Sequence, residues 1–255
     1  MADPERHCAP IDAAAVSAGG LALLEAAAMA GGDLEPGLVG FTLAVRQSSL
    51  GEQAGLGVFV DDGGLIKAGE VAAIYPGMII AGPTEMMLLS LSPHIKDSTY
   101  LISRYDGITI DGSPSGPCLD MRNASASKWQ IHGIGLCAQE NRYAVGHRIN
   151  HPTKIEGDGT ARPNVVVAPF DIPLDEISEA VLPFVPNVPF GGDPSRSAVL
   201  PGLALVATTD IDGGSELFLD YKYPASTAKR LSAWYTPWLD DDDEDHDSLG
   251  SDAGG

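Results

Sequence analysis

A tyrosine near the C-terminal end of the chain is the first residue whose position suggests chemistry. Tyr221 follows two short apolar runs, within residues 203–223, that are joined by the turn-forming Asp212-Gly213-Gly214. The aliphatic and β-branched residues of the first run favour a strand. A phenol at the end of such a buried element can pack its ring and point its hydroxyl into a cavity, where it would orient a substrate. The alternative is a core tyrosine whose hydroxyl has an internal partner.

A carboxamide and an imidazole stand side by side at Asn150 and His151. The following Pro152 keeps His151 out of helical backbone angles, so the pair can present polar groups to one edge of a ligand. His147 precedes His151 by four residues, which is a spacing that metal sites use. Gly146 and Pro152 crowd this short segment, however, and no third ligand is evident. We therefore predict no metal site here.

A third candidate is the glycine-spaced segment Ala54-Gly55-Leu56-Gly57. Glycine has no Cβ, so backbone at such a place can approach a bound small molecule closely. The spacing alone is a weak signal for nucleotide binding, and a β-bulge or a turn is its more common explanation.

Taken together, three stretches resemble, in order and spacing, the SET domain of protein lysine methyltransferases. They are residues 54–59, the segment 146–152 followed by Pro163-Asn164-Val165, and Glu216-Leu217-Phe218-Leu219-Asp220-Tyr221. The resemblance covers residues 45–223, and residues 100–112 are most similar to a small group of stand-alone SET proteins. It implies a β-rich α+β protein with the pseudoknotted SET (β-clip) fold, built from short strands and few helices. In that fold the closing segment 203–223 threads beneath a loop.

The resemblance also implies an activity, which is the S-adenosylmethionine-dependent methylation of a lysine side chain in a protein substrate. It assigns Tyr221 and Tyr75 to the orientation of the lysine amine. Tyr75-Pro76-Gly77 is similar to the tyrosine and glycine that end a strand in this family, although a tyrosine at a strand end is equally well explained by packing. At the position where some members carry a second phenol, this chain has Val167.

For the cofactor, the resemblance implies contacts from two of the three stretches. Asn150 and His151 would contact S-adenosylmethionine, the histidine mainly through its backbone. The backbone of His147 and Arg148 would lie alongside, and Ala54, Gly55, Leu56 and Gly57 would form the opposite wall. The family reaches Pro-Asn within a few residues of Asn-His, whereas here residues 152–162 intervene. We interpret them as a loop extension that leaves both ends in place.

Aromatic residues after the closing segment are a further candidate. The resemblance implies that Trp238 or Trp234 covers the adenine ring of the cofactor. A C-terminal helix that packs on the domain through these aromatic side chains is the alternative.

The remaining sequence predicts the frame that positions these residues. Short apolar runs between turn residues predict strands at 41–46, 58–60, 66–75 (with a turn at 67–70), 100–111 (a hairpin at Gly107), 165–168 and 203–209. Helices are predicted at 13–29 and around 84–91, a turn-rich region anchored by Trp129 at 113–140, and a proline-rich surface excursion at 171–201 with Phe184, Val185 and Phe190 pointing inward. The predicted domains are an N-terminal helical extension (1–40), the SET domain (41–223) with a variable insert (78–140), an aromatic segment (224–238) and an acidic disordered tail (239–255).

Composition and charge exclude several classes of function. The 255 residues carry a formal net charge of −20, which disfavours nucleic acid and favours a lysine-containing, basic peptide or protein as partner. Three scattered cysteines exclude a disulfide framework and a Cys-x-x-Cys zinc site. Neither a membrane-spanning run nor a signal peptide is evident. We expect an intracellular monomer, nuclear or cytoplasmic, without a membrane partner.

Two other interpretations stay open at this point. The interruption after His151 is also what a decayed site would look like, so the chain is alternatively a catalytically inactive SET module that binds cofactor or a protein. The other alternative is an unrelated β-rich intracellular domain without catalysis.

Overall fold

The fold is described from a computed structural model, which defines residues 11–30, 39–82, 87, 95, 98–152, 161–190 and 198–223. Within these ranges the chain is rich in short strands and has two α-helices, so the predicted β-rich α+β class is confirmed. The helices are α1 (Ala13–Ala30) and α2 (Pro117–Ala126). The strands are β1 (Leu43–Gln47), β2 (Leu56–Val60), β3 (Leu65–Ile66), β4 (Val71–Tyr75), β5 (Gly77–Ile80), β6 (Leu101–Ser103), β7 (Thr109–Asp111), β8 (Gln130–Ile131), β9 (Ile134–Gly135), β10 (Val165–Pro173), β11 (Asn187–Pro189), β12 (Val199–Ala207) and β13 (Ile211–Asp212).

The main core lies on a three-stranded antiparallel sheet with the order β10-β12-β4. The predicted N-terminal helix is present as α1, and it packs on all three strands. Leu23 and Leu24 are fully buried in this core. In the part of the chain that is described, neither helix is long and apolar enough to cross a bilayer.

A second sheet has the order β11-β5-β7-β6. Its β6–β7 hairpin turns at Gly107, as predicted. The second sheet follows the main sheet directly in the chain, because β4 ends at Tyr75 and β5 begins at Gly77. The last residue of β4 is therefore held between the two sheets. A separate hairpin, β1–β2, carries the glycine-spaced segment at the start of its second strand.

The closing segment lies between two earlier parts of the chain. Leu217 donates its amide to Val58 of β2 (2.8 Å), and Leu219 donates to the carbonyl of Asn150 (3.0 Å). The amide of Phe218 donates to the Asn164 side chain at 2.7 Å. Asn150 and Asn164 stand on either side of the extended loop, so both of its ends contact the same segment.

The prediction of a surface excursion at 171–201 is wrong where the described residues 171–173, 187–189 and 199–201 form strands. Its prolines suggested a loop, but Pro173 lies in β10 and Pro189 in β11, each at the edge of its sheet, where a strand tolerates a missing amide donor. Val185 is fully buried, as predicted, and Phe184 and Phe190 are partly buried and pack on the core.

Two further predictions differ from the structure in detail. The region 113–140 contains α2, which begins with a proline at the position that helices favour for it. Trp129 is buried there, as predicted. The last long strand begins at Val199, earlier than the predicted 203. The helix predicted around 84–91, Trp234, Trp238 and the acidic tail lie outside the described residues, apart from Met87.

Candidate functional site

One cavity of about 1610 Å³ brings the three predicted stretches together. Its walls come from segments that are far apart in the sequence. They include 53–56 from the β1–β2 hairpin, Tyr75 at the end of β4, 99–105 at the start of the second sheet, 146–151, Val166 and Val167 of β10, and 219–223. The predicted residues Tyr221, Tyr75, Ala54, Gly55, Leu56, His147, Arg148, Asn150 and His151 all line it. Gly57 is not among the lining residues, and Trp238 lies outside the described part of the chain.

Gly55 and Gly57 of the hairpin are required for different structural reasons. Gly55 has a φ of 70°, which side chains rarely adopt, and no atom lies within 4 Å of the place where a Cβ would project. It is therefore a turn residue. Gly57 is buried, and a Cβ there would overlap the carboxylate of Glu216 and approach the amide of Asn150. Its role in the structure is to admit these two side chains.

Asn150 is fixed by its amide nitrogen. Nδ2 donates to the carbonyl of Leu56 (3.1 Å) and to Oε1 of Glu216 (3.3 Å). Both amide hydrogens thus have partners on the hairpin and the closing segment, which sets the orientation of the carboxamide. Asn150 joins the two walls of the cavity that the resemblance assigns to the cofactor.

The two histidines at the cavity differ in their surroundings. His151 is buried, and its Nδ1 accepts the amide of Tyr221 (3.3 Å) and lies 3.6 Å from Oδ1 of Asp220. The Nδ1 of His147 is buried and has no hydrogen-bond partner in the structure. Burial, with a further contribution from the charge of Arg148, lowers the pKa of His147 to about 4, so its ring is neutral at physiological pH.

The two predicted catalytic phenols point inward. Tyr221 donates its hydroxyl to the carbonyl of Ile149 (2.9 Å), and Tyr75 donates to the carbonyl of Tyr100 (2.8 Å). Burial raises the pKa of both hydroxyls well above 10, and neighbouring phenols raise it further. Both groups therefore stay protonated and act as hydrogen-bonding groups, without supplying a base.

No group of three or more His, Cys, Asp or Glu side chains with the geometry of a metal site occurs among the described residues. The groups at this cavity are phenols, a carboxamide, two imidazoles, main-chain carbonyls and charged side chains that include Arg148 and Asp220. Such groups bind and orient polar organic ligands.

Comparison with known proteins gives matches among solved structures only. No protein-family model matches the chain, and no curated protein is similar in sequence. CpSET8 from Cryptosporidium is similar at 18% identity with a TM-score of 0.37, over 71% of this chain and 57% of that one. ctPRC2, in an autoinhibited conformation bound to S-adenosylmethionine, is similar at 18% identity with a TM-score of 0.36, over 78% of this chain and 17% of that one. A SET protein, the kind that the sequence resembles, is thus among the structural matches.

Three lining or supporting residues were given no role by the sequence reasoning. Tyr223 donates its hydroxyl to the carbonyl of Thr99 (3.1 Å) and meets the Tyr221 ring edge-on at 5.4 Å. Tyr100 lines the same wall. The spacing of Tyr221 and Tyr223 was a usable signal, because residues two apart in an extended chain share a face. The third residue, Glu216, gave no such signal.

Proposed function

We propose that this protein is a SET-type methyltransferase, which binds S-adenosylmethionine in the cavity and transfers a methyl group to the amine of a lysine side chain. The observation that carries the proposal is the convergence of Tyr221, Asn150 and the 54–56 wall on one cavity. Small-molecule sites typically occupy about 300–1,000 Å³. This cavity is larger, so it has room for the cofactor and for a second substrate.

The proposed reaction needs a neutral amine in line with the methyl group. S-adenosylmethionine, when bound, supplies an electrophilic methyl group on a positively charged sulfur. A lysine with its usual pKa near 10.4 loses a proton at pH 7 at a cost of about 4.6 kcal/mol, taking 1.36 kcal/mol per pKa unit. Burial of the amine in the cavity disfavours the ammonium form and so reduces this cost.

Tyr75 and Tyr221 are suited to orient that amine. Their hydroxyl protons are donated to main-chain carbonyls, and a phenol oxygen is also a hydrogen-bond acceptor, which is the group that would orient the N–H bonds of an amine. Holding two reactants in line in this way can contribute about 7–11 kcal/mol to lowering the barrier. The proton leaves the amine for the solvent before the transfer, and neither phenol takes it. The new N–C bond forms as the S–C bond of the methyl group breaks, and S-adenosylhomocysteine leaves.

Two features support lysine as the methyl acceptor. Tyr100 and Tyr223 line the cavity together with the two orienting phenols, and aromatic rings attract an ammonium group. The net charge of −20 supports a basic peptide or protein as the partner.

A binding module without catalysis is the second candidate. It is favoured by the fact that both orienting phenols already have internal acceptors, as structural tyrosines do. The two candidates differ in whether methyl transfer follows once the cofactor is bound.

The test measures cofactor binding and methyl transfer separately. Calorimetry with S-adenosylhomocysteine should show binding to the wild type and weaker binding to Asn150→Ala. Transfer of labelled methyl groups to proteins of a cell lysate should occur with the wild type and fall about 100-fold or more in Tyr221→Phe, because a poorly aligned amine reacts that much more slowly.

Tyr143→Phe is the matched control. Tyr143 also donates a buried hydroxyl to a carbonyl, that of Phe41 (3.2 Å), but it does not line the cavity. It should lose stability and keep its turnover. Wild-type turnover by Tyr221→Phe would refute the catalytic assignment, and a wild type that binds cofactor without transferring methyl groups would favour the binding module.

A further inference from the structure

One buried carboxylate contacts two walls of the cavity. Glu216 is 5% exposed, and its Oε1 accepts the hydroxyl of Ser48 (2.8 Å) and the Nδ2 of Asn150 (3.3 Å). Its Oε2 accepts the amide of Ser49 (2.7 Å) and the hydroxyl of Ser49 (2.6 Å). The donors are all neutral groups, and they lie 66 to 168 positions from Glu216 in the sequence.

These hydrogen bonds hold the segment that leads into the cavity wall. The segment 48–55 connects β1 to β2, and its residues Leu50 and 53–55 line the cavity. Inside the segment, the amide of Ser48 donates to the carbonyl of Gly55 (2.9 Å), which closes it into a loop. The side chain of Glu216 binds the start of this loop and occupies the space that a Cβ at position 57 would fill.

A carboxylate is the group that this position requires. Oε2 accepts a hydrogen bond from the backbone N–H of Ser49, and Oε1 accepts one from the Nδ2 of Asn150. Neither of these nitrogen donors can accept a hydrogen bond in return. A glutamine would have to place its own NH₂ against one of them. Its amide would then either release the loop at Ser49 or turn the carboxamide of Asn150, which would remove the hydrogen bond to Leu56.

We propose that Glu216 is a positioning residue, whose carboxylate couples the 48–55 loop to the carboxamide of Asn150 and thereby sets the cofactor side of the cavity. This inference rests on the proposed function for the identity of the ligand. The coupling itself is a property of the protein without ligand.

The first measurement is hydrogen exchange of residues 48–55 in the protein without cofactor. Glu216→Gln should exchange faster than the wild type in this loop, with the change centred on the amide of Ser49. Glu52→Gln is the matched control, since it removes the same charge from an exposed side chain of the same loop. Exchange in Glu52→Gln should equal that of the wild type. A loop as well protected in Glu216→Gln as in the wild type overturns the proposal.

The second measurement separates positioning from general stability. Glu216→Gln should bind S-adenosylhomocysteine about tenfold or more weakly, the factor that corresponds to about 1.4 kcal/mol. Its KM for S-adenosylmethionine should rise by a similar factor, with a smaller change in kcat. A purely structural glutamate would lower the melting temperature and the active fraction and would leave the affinity of the folded fraction unchanged, and that result overturns the proposal.

Ser49→Ala covers the case in which Glu216→Gln does not fold. It removes one hydroxyl contact from an exposed position and leaves the carboxylate in place, so it should give a smaller change in the same direction in both measurements. If the wild type binds no cofactor, the proposed function fails, and the exchange experiment still decides whether Glu216 holds the loop.

Discussion

The position of Tyr75 can be tested through a glycine that touches its ring. A Cβ at Gly112 would lie 2.7 Å from Cε1, 2.9 Å from Cζ and 3.0 Å from Oη of Tyr75. Ordinary contacts between carbon atoms are about 3.5–4.0 Å. In Gly112→Ala the ring or the strand must therefore move by roughly 0.5–1 Å.

Little else can move to relieve this contact. Tyr75 donates its hydroxyl to the carbonyl of Tyr100 (2.8 Å), and the amide of Gly112 donates to the same carbonyl (3.0 Å). The ring, the glycine and the acceptor thus form one packed unit at the edge of the cavity. Overpacking of this kind costs about 1–3 kcal/mol of stability. A misplacement of about 1 Å in an orienting group can lower the rate about 100-fold.

We expect Gly112→Ala to fold and to transfer methyl groups roughly 10–100-fold more slowly, with the affinity for S-adenosylhomocysteine unchanged. Methyl transfer at saturating cofactor and calorimetry measure these two quantities. Gly135→Ala is the control, because a Cβ there meets no atom within 4 Å. A folded Gly112→Ala protein with the wild-type rate would show that the place of the Tyr75 ring does not matter for catalysis, and the assignment of this phenol would be wrong.

Two further predictions concern stability. Arg104 has a side chain that is 2% exposed, and it donates to two main-chain carbonyls and to Asp171, so Arg104→Met should cost about 1–3 kcal/mol in urea unfolding. Lys67→Met breaks an ion pair with Asp210 in which both side chains are 55% exposed, so it should lower the free energy of unfolding by less than about 1 kcal/mol. Equal losses in the Arg104 and Lys67 variants would contradict the argument. The pKa of His147, lowered by burial from 6.5 to about 4, means that the unfolded chain binds a proton in this range before the folded one does. The melting temperature should therefore fall as the pH falls from 6.5 to 4, and it should fall less steeply in His147→Gln than in the wild type. Parallel plots of melting temperature against pH for the two proteins would contradict this role of His147.

Turn chemistry made much of the frame predictable. Gly107 marks the β6–β7 hairpin, and the turn at residues 67–70 separates β3 from β4, as the local residue types indicated. The residues Tyr221, Asn150 and 54–56, which line one cavity, were named from the resemblance to SET domains, because each stretch alone is a weak signal. These predictions depend on residues that are close in the sequence.

The errors concern contacts whose partners are distant in the sequence. Glu216 reaches Ser48 across 168 positions, and nothing near either residue indicates the other. A glutamate that begins an apolar run is as compatible with solvent as with a buried site. The prolines of β10 and β11 misled for a similar reason, because whether a strand is at an edge depends on its neighbours in the sheet.

The fold and the site form together when the closing segment makes its contacts. Its backbone donates to β2 at Val58 and to the carbonyl of Asn150, and its Glu216 and Tyr221 side chains bind Asn150 and the carbonyl of Ile149. Before these contacts form, the cavity lacks one wall, and Asn150 lacks one of its acceptors. Residues so distant in sequence meet only after most of the loop-closure entropy has been lost. A substitution in this segment will therefore change stability and the cavity together. Tyr221→Phe, for example, removes a hydroxyl at the cavity and also the donor to the carbonyl of Ile149.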